Sequence, residues 1–135
     1  MFELDPRIER DSIYVTELEL CQVRLQNDSR YPWLVLLPQI AGLTEVHELT
    51  EVQQTQLLKE SSLVAKLLTK LTGCKKINVA NLGNVVSQLH WHVVARFETD
   101  EAWPGPIWGV GSAIPYDEQK RAEFIDSFLE LLAMN

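Results

Sequence analysis

The chain has two cysteines in 135 residues, Cys21 and Cys74, far apart and without a Cys-x-x-Cys pair. That excludes a disulfide framework and points to free thiols in a reducing compartment. Positive charge is also scarce. Lys and Arg number 12 against 19 Asp and Glu, for a net charge of −7. Broad binding to duplex nucleic acid needs a basic footprint and is not expected. A small phosphate ligand stays open, because a few local donors suffice for it. No apolar run approaches the roughly 20 residues that a membrane-spanning helix needs. The opening stretch MFELDPRIERDS lacks an apolar run followed by a small-residue cleavage site, so a cytoplasmic protein with no membrane partner is expected. Repeats, low-complexity tracts and linkers are missing too, which leaves residues 1–135 as one domain of ordinary size.

What is present reads as alternating elements. DSIYVTEL and ELCQVRLQ are strand candidates. In the second, Cys21, Val23 and Leu25 alternate with Gln22, Arg24 and Gln26, the pattern of a half-buried strand. NDSRYP (27–32) is turn chemistry, and WLVLLP (33–38) is a short apolar run that reads as a central strand. QIAGLTEVHEL is a connector with room for one helical turn. Residues 51–72 form the clearest helix: Thr50 and Gln53 make a capping box, Gly73 stands where a helix commonly ends, and Leu57, Val64, Leu67 and Leu68 belong to an apolar stripe. Residues 75–83 read as a strand running into a turn, and 87–98 as a long strand. Residues 99–115, rich in Pro and Gly, are irregular. A final helix over about 117–133 opens on Asp117 and Glu118. Strands, helix, strands, helix, with short early connections, predict an α+β fold with a mostly antiparallel sheet.

The chemistry concentrates in QLHWH (88–92), which holds two of the chain's three histidines. In a strand, Gln88, His90 and His92 would share one face, each roughly 6.6 Å from the next, with Leu89, Trp91 and Val93 on the other. Three readings compete. The row can be a polar strand face. It can hold zinc, with His47, Asp28, Cys21 and Cys74 as the available further donors, none at a recognisable ligand spacing. Or it can do nucleophilic imidazole chemistry at phosphorus, for which neutral histidine is suited near pH 7. Elsewhere, Trp33 and Trp91 sit in apolar runs and read as core. Trp103 and Trp108 lie in the irregular segment, where they can close over a pocket, meet a partner subunit or fold back on the sheet. His47 reads as a surface or helix-start residue, and Arg96 can face phosphate or form a surface ion pair.

The stretch GNVVSQLHWHVVAR (83–96) resembles the signature of the histidine triad family, His-x-His-x-His followed by two apolar residues. LQNDSRYPWLVLLP (25–38) is similar to the family's strand–turn–strand that holds the nucleoside. The helix at 51–72 and the strand at 75–81 fall in the family's order, so the resemblance covers roughly residues 12–98. It implies the family's fold, a homodimer, no cofactor, and a nucleotide hydrolase or nucleotidyl transferase acting at the α-phosphorus of a dinucleoside polyphosphate or nucleoside phosphoramidate. Position by position it places Gln88 first, His90 second, as the nucleophile, and His92 third. It assigns Asn81, Gly83 and Asn84 to the nucleotide's phosphate side, and Asn27 and Asp28 to its ribose; turn capping is the other reading of these last two. Two positions depart from the family's pattern. Gln88 replaces a histidine and cannot carry a proton as imidazole does. Val85 stands where many members have Ser or Thr, and Ser87 is not expected to substitute for it.

Overall fold

A computed structural model describes residues 1–135. Five strands form one antiparallel sheet: β1 (Ser12–Glu17), β2 (Cys21–Gln26), β3 (Trp33–Pro38), β4 (Lys76–Asn81) and β5 (Trp91–Arg96), in the order β1-β2-β3-β5-β4. Helices α1 (Pro6–Asp11), α2 (Glu51–Thr72) and α3 (Glu118–Ala133) complete the fold, with one 3₁₀ turn at Val46–Glu48 in the connector. The class is α+β, as the order of elements predicts. No helix is long and apolar enough to cross a membrane.

The two-residue period of the strands divides the sheet into two unlike faces. On one, Leu34, Leu36, Leu89, Val93 and Ala95 pack with Leu57, Val64, Leu67 and Leu68 of α2 and Phe128 of α3, forming the larger core. Trp91 faces the same way and donates from its indole to the Ser61 hydroxyl at 2.9 Å. Residues of α2 form a helix because both halves of the capping box close: Gln53 N–H donates to the Thr50 hydroxyl, and Thr50 N–H to the Gln53 side chain. Gly73 ends the helix at φ 66°, a left-handed conformation that costs glycine little. Buried Glu60 of α2 accepts from the Leu20 and Cys21 amides and from Gln56, tying the β1–β2 turn to the helix. The Cys21 thiol, buried beside Glu60, is pushed up in pKa, first by desolvation and then by that carboxylate. Such a thiol is a poor nucleophile.

On the other face, Trp33, Val35, Leu37 and Val94 form a smaller core with Tyr31, Ile8 and Ile107. Its cover comes from two segments that lack a long apolar stripe. One is α1, opened by the Asp5 cap on Arg7 N–H and by Pro6, and contributing Ile8. It buries part of the β2 face that alternation predicts to be half open: Arg24 is buried and donates to the Ser12 hydroxyl and carbonyl and to Gln22. The other cover is the irregular segment after β5. Buried Arg96 organises it, donating to both carboxylate oxygens of Asp100, to Asn78 and to the Gly105 carbonyl. Arg96 therefore neither faces phosphate nor forms a surface pair.

The long strand expected over 87–98 is shorter. β4 and β5 both stop at the pair Asn81↔Trp91, where Leu82-Gly83 turns away. Gln88 and His90 thus lie in the approach to the strand rather than in it, and Leu89 N–H donates to the Leu43 carbonyl instead of to a sheet neighbour.

Candidate functional site

The second face carries a cavity of about 410 Å³. β5 contributes His92, β3 contributes Trp33 and Val35, and the turn between β4 and β5 contributes Leu82, Asn84, Val85, Val86 and His90. α1 adds Arg7, Ile8 and Asp11, β2 adds Gln26, and the segment after β5 adds Trp108. Seven of the thirteen lining residues are apolar and six, the two histidines among them, are polar or charged, a mixture that suits a small polar ligand.

Each imidazole has its tautomer set by a neighbour. His90 Nδ1 lies 2.7 Å from the Gln88 carbonyl. A carbonyl only accepts, so Nδ1 carries the proton and Nε2 keeps its lone pair. His92 is the reverse. The Trp33 indole N–H donates to His92 Nδ1 at 3.0 Å. An indole only donates, so His92 carries its proton on Nε2, which is 3.5 Å from the Leu82 carbonyl. The rings are 4.8 Å apart and meet edge to face. His92 is 4 % exposed and touches the Trp33 and Trp108 rings. Burial, and then the neighbouring His90, bring its pKa down to about 4. The pair thus sets His90 Nε2, the ring nitrogen not bonded to the Gln88 carbonyl, beside a His92 that burial keeps neutral at pH 7.

Gly83 is required by close approach. A Cβ there would stand 2.7 Å from the Val86 carbonyl oxygen and 3.5 Å from His90 Cε1. Asn84 lines the cavity, and Val85, 83 % exposed, forms its rim without a hydroxyl. Ser87 lies outside it, in a separate hollow with Gln88.

Other predicted site residues are placed elsewhere. Gln88 does not line the histidine cavity. Its side-chain oxygen accepts from Asp5 N–H at 2.8 Å, and its Nε2 donates to the Glu3 carbonyl at 2.7 Å. Asn27 accepts from Tyr116 N–H. Buried Asp28 accepts from Ile114 N–H and pairs with Arg30, which also binds Glu101. Burial raises the Asp28 pKa, but the bonds from Arg30 outweigh it and leave the carboxyl below its ordinary value. Both residues hold the turn to the chain entering α3, and neither lines the cavity. Asn81 is exposed at the end of β4, also off the cavity.

Sequence reasoning missed Arg7, Asp11 and Gln26 as lining residues and the tautomer-setting role of Trp33. Trp33 is core, as its apolar run suggests, yet its indole N–H needs a partner when buried, and that need was the available signal. No group of three or more His, Cys, Asp or Glu side chains is placed to hold a metal ion. A zinc site on His90 and His92 would lack a third ligand from the chain, and His47, Asp28, Cys21 and Cys74 do not join them.

The fold and the paired imidazoles define a histidine triad-type domain. The HIT domain family model matches residues 7–99, and the chain belongs to that family. A histidine triad protein from Sinorhizobium meliloti is 52% identical, with 96% of each chain covered and a TM-score of 0.94. One from Marinobacter aquaeolei is 42% identical, covering 99% of this chain and 98% of its own, with a TM-score of 0.96. A third, from Bradyrhizobium japonicum, is 40% identical over 96% of each chain, with a TM-score of 0.94. No match is found among curated proteins.

Proposed function

We propose that the protein is a nucleotide hydrolase or nucleotidyl transferase that works through a covalent nucleotidyl-His90. The observation that carries this reading is the fixed tautomer of His90: with Nδ1–H held by the Gln88 carbonyl, the Nε2 lone pair is available to a phosphorus atom in the cavity. The Nε2 lone pair forms an N–P bond with the α-phosphorus, and the bond to the leaving group breaks with its electron pair departing on that group, a phosphate oxygen leaving as the anion and an amine nitrogen leaving with a proton taken from solvent. Water then attacks phosphorus and releases a proton to solvent, and the N–P pair returns to Nε2. In this reading the His92 Nε2–H turns from its long 3.5 Å contact with the Leu82 carbonyl to a phosphoryl oxygen, and the Asn84 amide donates to another. Trp108, Leu82 and Val85 supply apolar wall for a base. No step calls on a metal or cofactor. The open edge of β4, where Val79 is 45% exposed, supports the homodimer that accompanies this reading.

One observation favours a second reading, nucleotide binding with little turnover. The cavity offers no side chain to hand a proton to a leaving group, since His92 is held neutral, Asp11 is kept ionised by its bond from Arg10, and Gln88 is turned away. The test is hydrolysis of diadenosine tetraphosphate and of adenosine monophosphoramidate in EDTA, for the wild type and His90→Ala. The proposal expects wild-type turnover that falls by on the order of a thousandfold or more without the nucleophile. AMP binding with no turnover would favour the binding module, and loss of activity in EDTA would overturn the metal-free mechanism.

A further inference from the structure

Gln88 occupies the first triad position by resemblance, yet both ends of its amide are spent on backbone. Asp5 N–H donates to Oε1 at 2.8 Å, and Nε2 donates to the Glu3 carbonyl at 2.7 Å. The amide thereby closes the two backbone groups that flank Leu4. Asp5 then works in two directions. Its carboxylate caps α1 through Arg7 N–H at 2.8 Å and grips the Arg7 guanidinium at Nε and Nη2, at 3.1 and 3.0 Å. Arg7 Nη1 reaches over to the Val85 carbonyl at 3.2 Å, on the far rim of the cavity. Three of the five guanidinium N–H groups are thereby committed and two remain. Arg7 is the only Lys or Arg among the residues lining the cavity.

We propose that Gln88 is a positioning residue: its amide fastens the backbone at Glu3 and Asp5, and through Asp5 holds Arg7 at the cavity mouth, where the guanidinium receives the charge of phosphate groups beyond the one attacked. The proposal rests on the nucleotidyl-His90 reading. When the α-phosphorus bonds to His90, the P–O bond to the next phosphate breaks and its electron pair leaves on oxygen. That group departs as an anion and needs no proton, which suits a cavity with no acid to give. Arg7 meets the added charge. An ammonia leaving group needs a proton and makes no use of a cation. The backbone carbonyl of Gln88 sets the His90 tautomer separately, so a side-chain change at 88 leaves that bond in place. Histidine at 88 would not restore the latch, because the two ring nitrogens diverge and cannot serve the neighbouring Asp5 amide and Glu3 carbonyl together.

The experiment compares kcat/KM of wild type, Gln88→His, Arg7→Gln and the double variant on diadenosine tetraphosphate and adenosine monophosphoramidate. Each single variant is expected to lose about tenfold or more on the polyphosphate and less than about threefold on the phosphoramidate, as loss of one charge-assisted contact predicts. The double variant should lose no more than Arg7→Gln, because Gln88 acts through Arg7. Faster turnover by Gln88→His, equal losses on both substrates, or additive losses would overturn the proposal. If the wild type turns over neither substrate, the proposed function falls, and trypsin cleavage after Arg7 decides this inference by itself. Faster cleavage in Gln88→Ala, and protection of wild type by ATP beyond that given by AMP, would support it. Unchanged cleavage, or equal protection by the two nucleotides, would overturn it.

Discussion

Lowering the pH from 7 to 4 tests how His92 is held. In the fold its pKa is about 4, against 6.5 for a free histidine, and burial is the main cause. A folded value below the unfolded one means that the unfolded chain binds the proton more readily. The stabilising contribution is therefore complete above pH 6.5, declines as pH falls towards 4, and levels off below it. At roughly 1.4 kcal/mol for each tenfold in proton affinity, the gap is worth about 3 kcal/mol. The Trp33 indole, aimed at Nδ1, works the same way, since a proton there would set N–H against N–H. The window is separable from the carboxylates. Asp28 and Asp100 are held below their ordinary values, so their losses come in at lower pH. The assay is urea unfolding followed by tryptophan fluorescence and circular dichroism at steps between pH 7 and 4, for wild type and His92→Gln. The wild type should lose about 3 kcal/mol across the window, and the variant should stay nearly flat. A flat wild-type profile, or an equal slope in the variant, would refute the account of a histidine buried neutral.

Two further substitutions probe the frame of the site. Arg96→Leu would leave Asp100 buried without its partner and should cost about 3–5 kcal/mol in unfolding free energy. It should also raise KM through the loosened segment that carries Trp108, which steady-state kinetics on the same protein would show. Gly83→Ala would press a methyl group to 2.7 Å from a backbone oxygen and against His90. A stability loss of about 1–3 kcal/mol, with a fall in kcat larger than any rise in KM, is the expected result, checked by urea unfolding and initial rates.

The long elements were legible because local and tertiary signals agree in them. Thr50, Gln53 and Gly73 fix the ends of α2, and its stripe meets the sheet as its spacing predicts. Leu89, Trp91 and Val93 turn to the larger core as alternation requires. His90 and His92 were legible as a pair, and they line one cavity. Less could be read where one residue serves a distant segment. α1 has six residues and one buried apolar side chain, too few to show a helical period. The Gln88 amide is committed 83 and 85 positions away along the chain, which no local pattern records. Asn27 and Asp28 look like turn residues and do cap, but their partners are the amides of Tyr116 and Ile114. Strand β5 begins later than its apolar pattern suggests because its neighbour β4 ends at the same rung.

The central claim is that His90 becomes covalently bonded to phosphorus, and the stereochemical course at the α-phosphorus tests it most directly. A substrate made chiral there by sulfur and oxygen-isotope substitution would be hydrolysed by the wild type and the product's configuration read by phosphorus NMR. Attack by His90 followed by attack of water on the opposite face inverts the centre twice, so the account predicts net retention. Net inversion would mean that water attacks phosphorus directly, and would contradict the nucleotidyl-His90 intermediate.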